Sequence, residues 1–248
     1  MPGTRDLLAD PASARAAITV PRIFPVPAPP DENADDVAFY RALVPAGALA
    51  FDVGANVGDV SGPLLRAGAR VLAVEPQPQC VERLRARCGR HPGFALVQAV
   101  VGRAVGTATL YLRPNHPSSS LRADWRGETV GTLRSPMVTL AGLIERHGPP
   151  AYCKVDVEGV EEDVFSTLPR PLPLVSFEYV AGELDRAEEC LRLVAPGGRA
   201  EVNLTLPGPL RFALPRWVPL DEFRRTLAAR LDAPGAPGWG DLWVRRIA

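Results

Sequence analysis

Short apolar runs alternate with segments of helical period along most of the chain. Residues 49–53, 69–74, 94–101, 152–157 and 174–179 are apolar runs of strand length. Between them, residues 59–67, 81–88, 140–147, 160–168 and 183–193 carry helical spacing, with Pro63 tolerated only in a first turn. Residues 35–44 predict a short leading helix and 107–112 an added edge strand. Residues 113–136 read as a long polar loop, 199–204 and 241–247 as final strands, and 221–231 as a helix between those two. Repeated strand–helix units imply an α/β fold built on a mainly parallel, doubly wound sheet. Five prolines between Pro21 and Pro30 prevent regular structure at the start. The expected organisation is a Pro-rich arm over 1–34 and one domain over 35–248.

Composition narrows the class. The 248 residues hold 28 basic and 28 acidic side chains, a net charge of zero, which disfavours a generic nucleic-acid partner. No apolar run reaches the roughly 18 residues of a membrane span, and residues 1–30 lack the pattern of a signal peptide. Cys80, Cys88, Cys153 and Cys190 form no metal or disulfide framework, so reduced thiols in a cytoplasmic protein are expected. Of the basic residues, 27 are Arg, and the sole Lys is Lys154.

The turn Gly54-Ala-Asn-Val-Gly58 follows a strand and opens a helix. Asn56 stands where a dinucleotide fingerprint needs a glycine for the pyrophosphate. A polar residue there suits a ligand with an amino-acid moiety. Glu75 ends the second strand, 21 residues after Gly54, where a carboxylate can accept from two ribose hydroxyls. A nucleoside joined to an amino acid describes S-adenosylmethionine (SAM).

These residues resemble the FkbM-type family of SAM-dependent methyltransferases. The matching stretches are FDVGANVG (51–58), AVEPQP (73–78), LVQAVVG (96–102), KVDVEGVE (154–161), SFE (176–178) and GDLWV (240–244). The resemblance implies a Rossmann-like class I methyltransferase fold and O-methylation of hydroxyls on sugars or natural products. It also implies that Asp52, Gly54, Asn56, Gly58, Glu75 and Pro76 contact SAM, with Gln98, Ala99 and Val100 beside the adenine. Two positions depart from the family pattern: Ala141 replaces a frequent Asp, and Tyr179 a frequent His, so Tyr179 is expected on the substrate side.

Methyl transfer to a hydroxyl gains from a positioned base. Strand alternation places Lys154 and Asp156 on one face, with Glu158 in the following turn and Glu178 ending the next strand. Asp156 is the first candidate base and Glu178 the second. Lys154 holds the neighbouring carboxylate ionised through its compact charge, which Arg would not reproduce. If a divalent metal such as Mg²⁺ is present, Asp156, Glu158 and Glu178 are its ligands; this is the less favoured reading, since the carboxylates suffice to orient an acceptor. In the polar loop, His116 is a further candidate base, Ser119 and Ser120 candidate hydroxyl binders, and Trp125 a platform for a ring.

The expected function is therefore SAM-dependent O-methylation of a small-molecule acceptor, with no nucleic-acid or membrane partner. Methylation of a carboxylate or amine, on a small molecule or peptide, is the first alternative. An NAD(P)-dependent reductase is disfavoured by Asn56, and a non-catalytic SAM- or partner-binding protein by the intact Asp156 and Glu178.

Overall fold

The computed structural model describes residues 33–231 and 238–247. The Pro-rich arm lies outside the described residues, except for its last two positions. In chain order the elements are α1 (Ala34–Leu43), β1 (Leu49–Val53), α2 (Ser61–Arg66), β2 (Arg70–Val74), α3 (Pro78–Cys88), β3 (Phe94–Val97), β4 (Val100–Val101) and β5 (Gly106–Leu112). There follow β6 (Gly131–Val138), α4 (Leu140–His147), β7 (Tyr152–Val155), α5 (Glu161–Phe165), β8 (Leu174–Val180) and α6 (Leu184–Val194). The chain ends with β9 (Ala200–Thr205), β10 (Val218–Pro219), α7 (Leu220–Leu231) and β11 (Trp239–Arg246).

Among the described residues, eight strands form the main sheet in the order β10-β9-β11-β8-β7-β1-β2-β3. The five strands from β8 to β3 run parallel, and β11 inserts antiparallel between β8 and β9. This is the α/β, mainly parallel, doubly wound sheet that the alternation of runs predicts. Period-two alternation sorts its side chains into two cores. Phe51, Cys153, Val155, Val175, Phe177 and Leu242 face α4–α7, whereas Ala50, Tyr152, Leu174 and Trp243 face α1–α3.

Three expectations change. The run over 94–101 is not one strand: it splits into β3 in the main sheet and β4 outside it. The edge strand of 106–112 does not join the main sheet. It pairs antiparallel with β6, in a separate sheet ordered β4-β6-β5. The polar loop expected over 113–136 therefore ends early, because β6 (Gly131–Val138) occupies its last quarter. Arg134 and Pro136 at exposed positions hide the alternation that buries Leu133 and Ser135.

The strand ends gather the polar side chains of the sheet. On the α1–α3 face, Asp52 of β1, Lys154 of β7 and Ser176 of β8 are in register, and Glu178 of β8 is in register with Asp241 of β11. Registered partners project to one side. The carboxyl end of this face is thus a polar stripe laid beyond an aromatic one, where Tyr152 stacks on Trp243 at 5.3 Å.

Candidate active site

A cleft of about 640 Å³ opens at the carboxyl ends of β1, β2 and β7. Its wall includes Gly54, Asn56, Glu75, Pro76, Ala99 and Val100, all expected at a cofactor. Gly54 has φ +84°, and a Cβ on it would lie 1.7 Å from the carbonyl oxygen of Asp156. Only glycine lets the ends of β1 and β7 come this close.

Glu75 is buried, yet its carboxylate is not orphaned. One oxygen accepts the Asn56 N–H at 2.9 Å and the other the Gln77 N–H at 2.8 Å. Burial pushes its carboxyl up to about 7, against the pull of these two donors. Asn56 sits at φ +48°, and its Oδ1 is buried without a hydrogen-bond partner among the described residues. Such an acceptor is costly unless something fills its valence. A nucleoside carrying an amino group fits this set: a carboxylate for the ribose diol and an unpaired amide oxygen for a donor.

Three expected cofactor residues stand elsewhere. Asp52 is buried under the turn and accepts from the Ser61 hydroxyl at 2.6 Å, so it ties β1 to α2 rather than lining the cleft. Burial raises its carboxyl to about 6. Gly58 makes room for α3, since a Cβ on it would meet Leu84 at 2.7 Å. Gln98 is exposed at the rim, where its amide donates to the Pro76 carbonyl at 3.4 Å.

Opposite Glu75, the cleft ends on Asp156, Val157 and Glu158. Lys154 is buried, and its ammonium lies 3.3 Å from Asp156 Oδ2 and 2.5 Å from Asp241 Oδ1. Burial alone would lower its pKa, but Asp241 and then Asp156 hold it well above the ordinary lysine value. Asp156, Glu158 and Glu178 each bring one oxygen within 4.8 Å of the others. Burial, then the charge of Asp156, pushes both glutamic carboxyls up, Glu178 further than Glu158. Crowded carboxylates of this kind share protons. Three oxygen donors at that spacing also match what a divalent cation accepts.

The expected acceptor residues divide. Ser119 lines the cleft, and its Oγ reaches Gln77 Oε1 at 3.4 Å. Ser120 is buried and donates to the Glu158 carbonyl at 2.6 Å. Trp125 is no open platform: it is 4% exposed, lies against Gly159, and donates its indole N–H to Glu158 Oε2 at 2.9 Å. Arg122 and Arg126 stack on its ring. Tyr179 points into the α4–α7 core, opposite to Glu178, because neighbouring residues of a strand alternate. It therefore does not reach the carboxylates. The side chain of His116 lies outside the described residues; its backbone opens a one-turn 3₁₀ helix.

Two residues of the site are absent from the sequence-based expectation. Glu161 is buried and accepts the N–H groups of Val157 at 3.0 Å and Gly159 at 3.2 Å, which fixes the turn that carries Glu158. Its position in an acidic first helical turn is the available signal. Asp241 is signalled only as a member of the GDLWV stretch; its pairing with Lys154 spans 87 residues and cannot be read from spacing.

Among curated proteins, none matches the chain significantly. Solved structures of similar fold include a precorrin-6Y C5,15-methyltransferase from Geobacter metallireducens, at 11% identity and TM-score 0.46, covering 85% of this chain and 86% of that one. An O-methyltransferase from Bacillus cereus in complex with SAH matches at 12% identity and TM-score 0.46, covering 88% and 84%. The methyltransferase FkbM domain matches residues 52–185, more than half of the chain and the whole span from Asp52 through Glu178, and so the chain belongs to the FkbM methyltransferase family.

Proposed function

We propose that this chain is a SAM-dependent O-methyltransferase that acts on a hydroxyl of a sugar or natural-product small molecule. The observation that carries the reading is one cleft with two unlike ends. At one end Glu75 and Asn56 offer acceptors; at the other Asp156 stands beside a buried ammonium.

Glu75 would hold the ribose of SAM, and Asn56 and the Gly54 turn its amino-acid portion. When bound, SAM supplies a methyl group activated by a sulfonium. The work of this chain is to place a hydroxyl against that methyl and remove its proton. Orientation contributes up to about 7–11 kcal/mol in well-organised systems. Asp156 lines the cleft and is 34% exposed, so an acceptor can reach it, whereas Glu178 stands outside the lining. Asp156 is thus the proton acceptor, and Glu178, held towards its neutral form by burial, stands against it from outside the lining. Glu158, Ser119 and the Pro117 and Leu121 side chains supply the mixed polar and apolar wall of a small ring.

The test has two stages. SAM and its demethylated product should each raise the melting temperature, and NAD should not. Labelled SAM is then offered with glycosides, a phenol, a carboxylic acid and a primary amine. Methyl ether formation on a glycoside or phenol supports the reading, and exclusive ester or methylamine formation overturns it.

A further inference from the structure

We propose that Asp241, on the last strand and beyond the matched family segment, is a positioning residue for Asp156 that acts through Lys154; this rests on the methyl-transfer function proposed for the same cleft. Lys154 starts on β7, and Asp241 stands on β11, with β8 between them. Strand spacing separates β7 from β11 by about 9–10 Å, and Asp241 stands two residues further along, level with Glu178 rather than Ser176. The lysine bridges this gap because its registered neighbour on β8 is Ser176, which is small and turned aside to bond the Tyr152 hydroxyl at 2.8 Å. A bulky residue at 176 would stand in its path.

The two carboxylates hold the ammonium unequally. Asp241 takes the short contact, 2.5 Å, and Asp156 the longer one, 3.3 Å. Asp156 lines the cleft and Asp241 does not. The ammonium is therefore anchored from behind. Its position fixes where Asp156 is held, while most of its charge is met by Asp241. Without Asp241, a buried ammonium would turn wholly to Asp156 and draw it back from the acceptor, since an unpaired buried charge is not tolerated. A methyl acceptor misplaced by about 1 Å can lose roughly 100-fold in rate.

The experiment exploits the composition. With one lysine in the chain, protein carrying [¹³Cε]lysine gives a single side-chain signal, which reports Lys154 without any acceptor. The signal is recorded in wild type, Asp241→Asn and Asp241→Glu, with SAM affinity by calorimetry and kinetics on the glycoside or phenol methylated in the screen. The expected result for Asp241→Asn is a shifted lysine signal and kcat lowered roughly 10–100-fold, with SAM Kd and acceptor KM within about twofold of wild type. Asp241→Glu, which keeps the charge, should recover most of kcat. An unmoved lysine signal, wild-type kcat in Asp241→Asn, or a loss of kcat that follows loss of SAM affinity overturns the proposal. If Asp241→Asn does not fold, Asp241→Ser takes its place with the same criteria. If wild type methylates no acceptor, the functional reading fails; the lysine signal still decides whether Asp241 holds Lys154.

Discussion

The two ends of the cleft are built by different means. The Glu75 end is local: a glycine turn, one strand and two backbone N–H groups that lie 19 and 2 residues from the carboxylate. The Asp156 end is assembled from β7, β8 and β11, and its closest ion pair joins residues 87 apart. Backbone donors satisfy the first carboxylate, whereas the carboxylates of the second compete for one ammonium. A local, saturated end suits a ligand that every turnover shares. An end under internal charge competition suits the proton transfer that must change state.

That contrast predicts a clean separation of functions. Asp156→Asn should lower turnover by roughly 10²–10⁴ while SAM affinity stays within a few fold. Turnover by radiolabel transfer and affinity by calorimetry check it, and near-normal turnover would remove Asp156 from the chemistry. Gly54→Ala should damage both ends together, because its Cβ would sit 1.7 Å from the Asp156 carbonyl at a φ of +84°. A loss on the order of 3 kcal/mol in urea unfolding is expected, with loss of SAM binding. Intact stability with lost turnover would show that the two strand ends can part.

Glu75→Ala should weaken SAM binding roughly 10–100-fold, the scale of a charge-assisted hydrogen bond, and leave the acceptor KM alone. Unchanged affinity would withdraw the ribose assignment. The pH dependence sharpens the same point. In the free protein the Glu75 carboxyl titrates near 7, above its ordinary 4.5, because it is buried. Ribose hydroxyls bind the ionised form, so SAM affinity should fall by up to about tenfold per pH unit below 7 and level off above it. The stability of the free protein should move the other way. A carboxyl whose folded pKa is raised contributes stability present below 4.5 and lost as pH rises through 7, and Glu161 behaves alike. Melting temperature should therefore rise, and SAM affinity fall, as pH drops from 8 to 6. A parallel fall of both would mean that Glu75 is not the group being read.

The same division governs what the chain discloses. The alternation of apolar runs is enough for the doubly wound sheet, because each run needs only its own period and length. Glu75 and Gly54 are legible because turn chemistry is local. Period alone places Lys154 and Asp156 on one face, two residues apart. It cannot place Asp241 with them, since which strand lies beside β8 is set by packing of the whole sheet. Trp125 misleads for a related reason: a tryptophan in a polar stretch looks available, and only the fold brings it against Gly159. Sequence adjacency suggests Tyr179 as a companion of Glu178, although adjacency within a strand means opposite faces. Of the loop, β6 is hidden by polar outward positions on a strand with one buried side.

Trp125 also gives the mildest test of the comparison. Glu158 adopts φ +59°, a left-handed conformation that costs a non-glycine residue about 1 kcal/mol or more. Two bonds from the 113–130 segment hold it there: Ser120 Oγ donates to its carbonyl, and the Trp125 indole to its carboxyl. Trp125→Phe keeps a ring against Gly159 but removes the second bond. The backbone stays pinned by Ser120, so the loss should be about 1 kcal/mol, or roughly 2–4 °C in melting temperature for a chain of this size. Glu158 is at the acid-crowded end, so kcat should fall a few fold with SAM affinity unchanged. If SAM affinity instead falls as far as in Glu75→Ala, the 113–130 segment serves the nucleoside end, and the boundary between the two ends must be redrawn through Ser119 rather than Asp156.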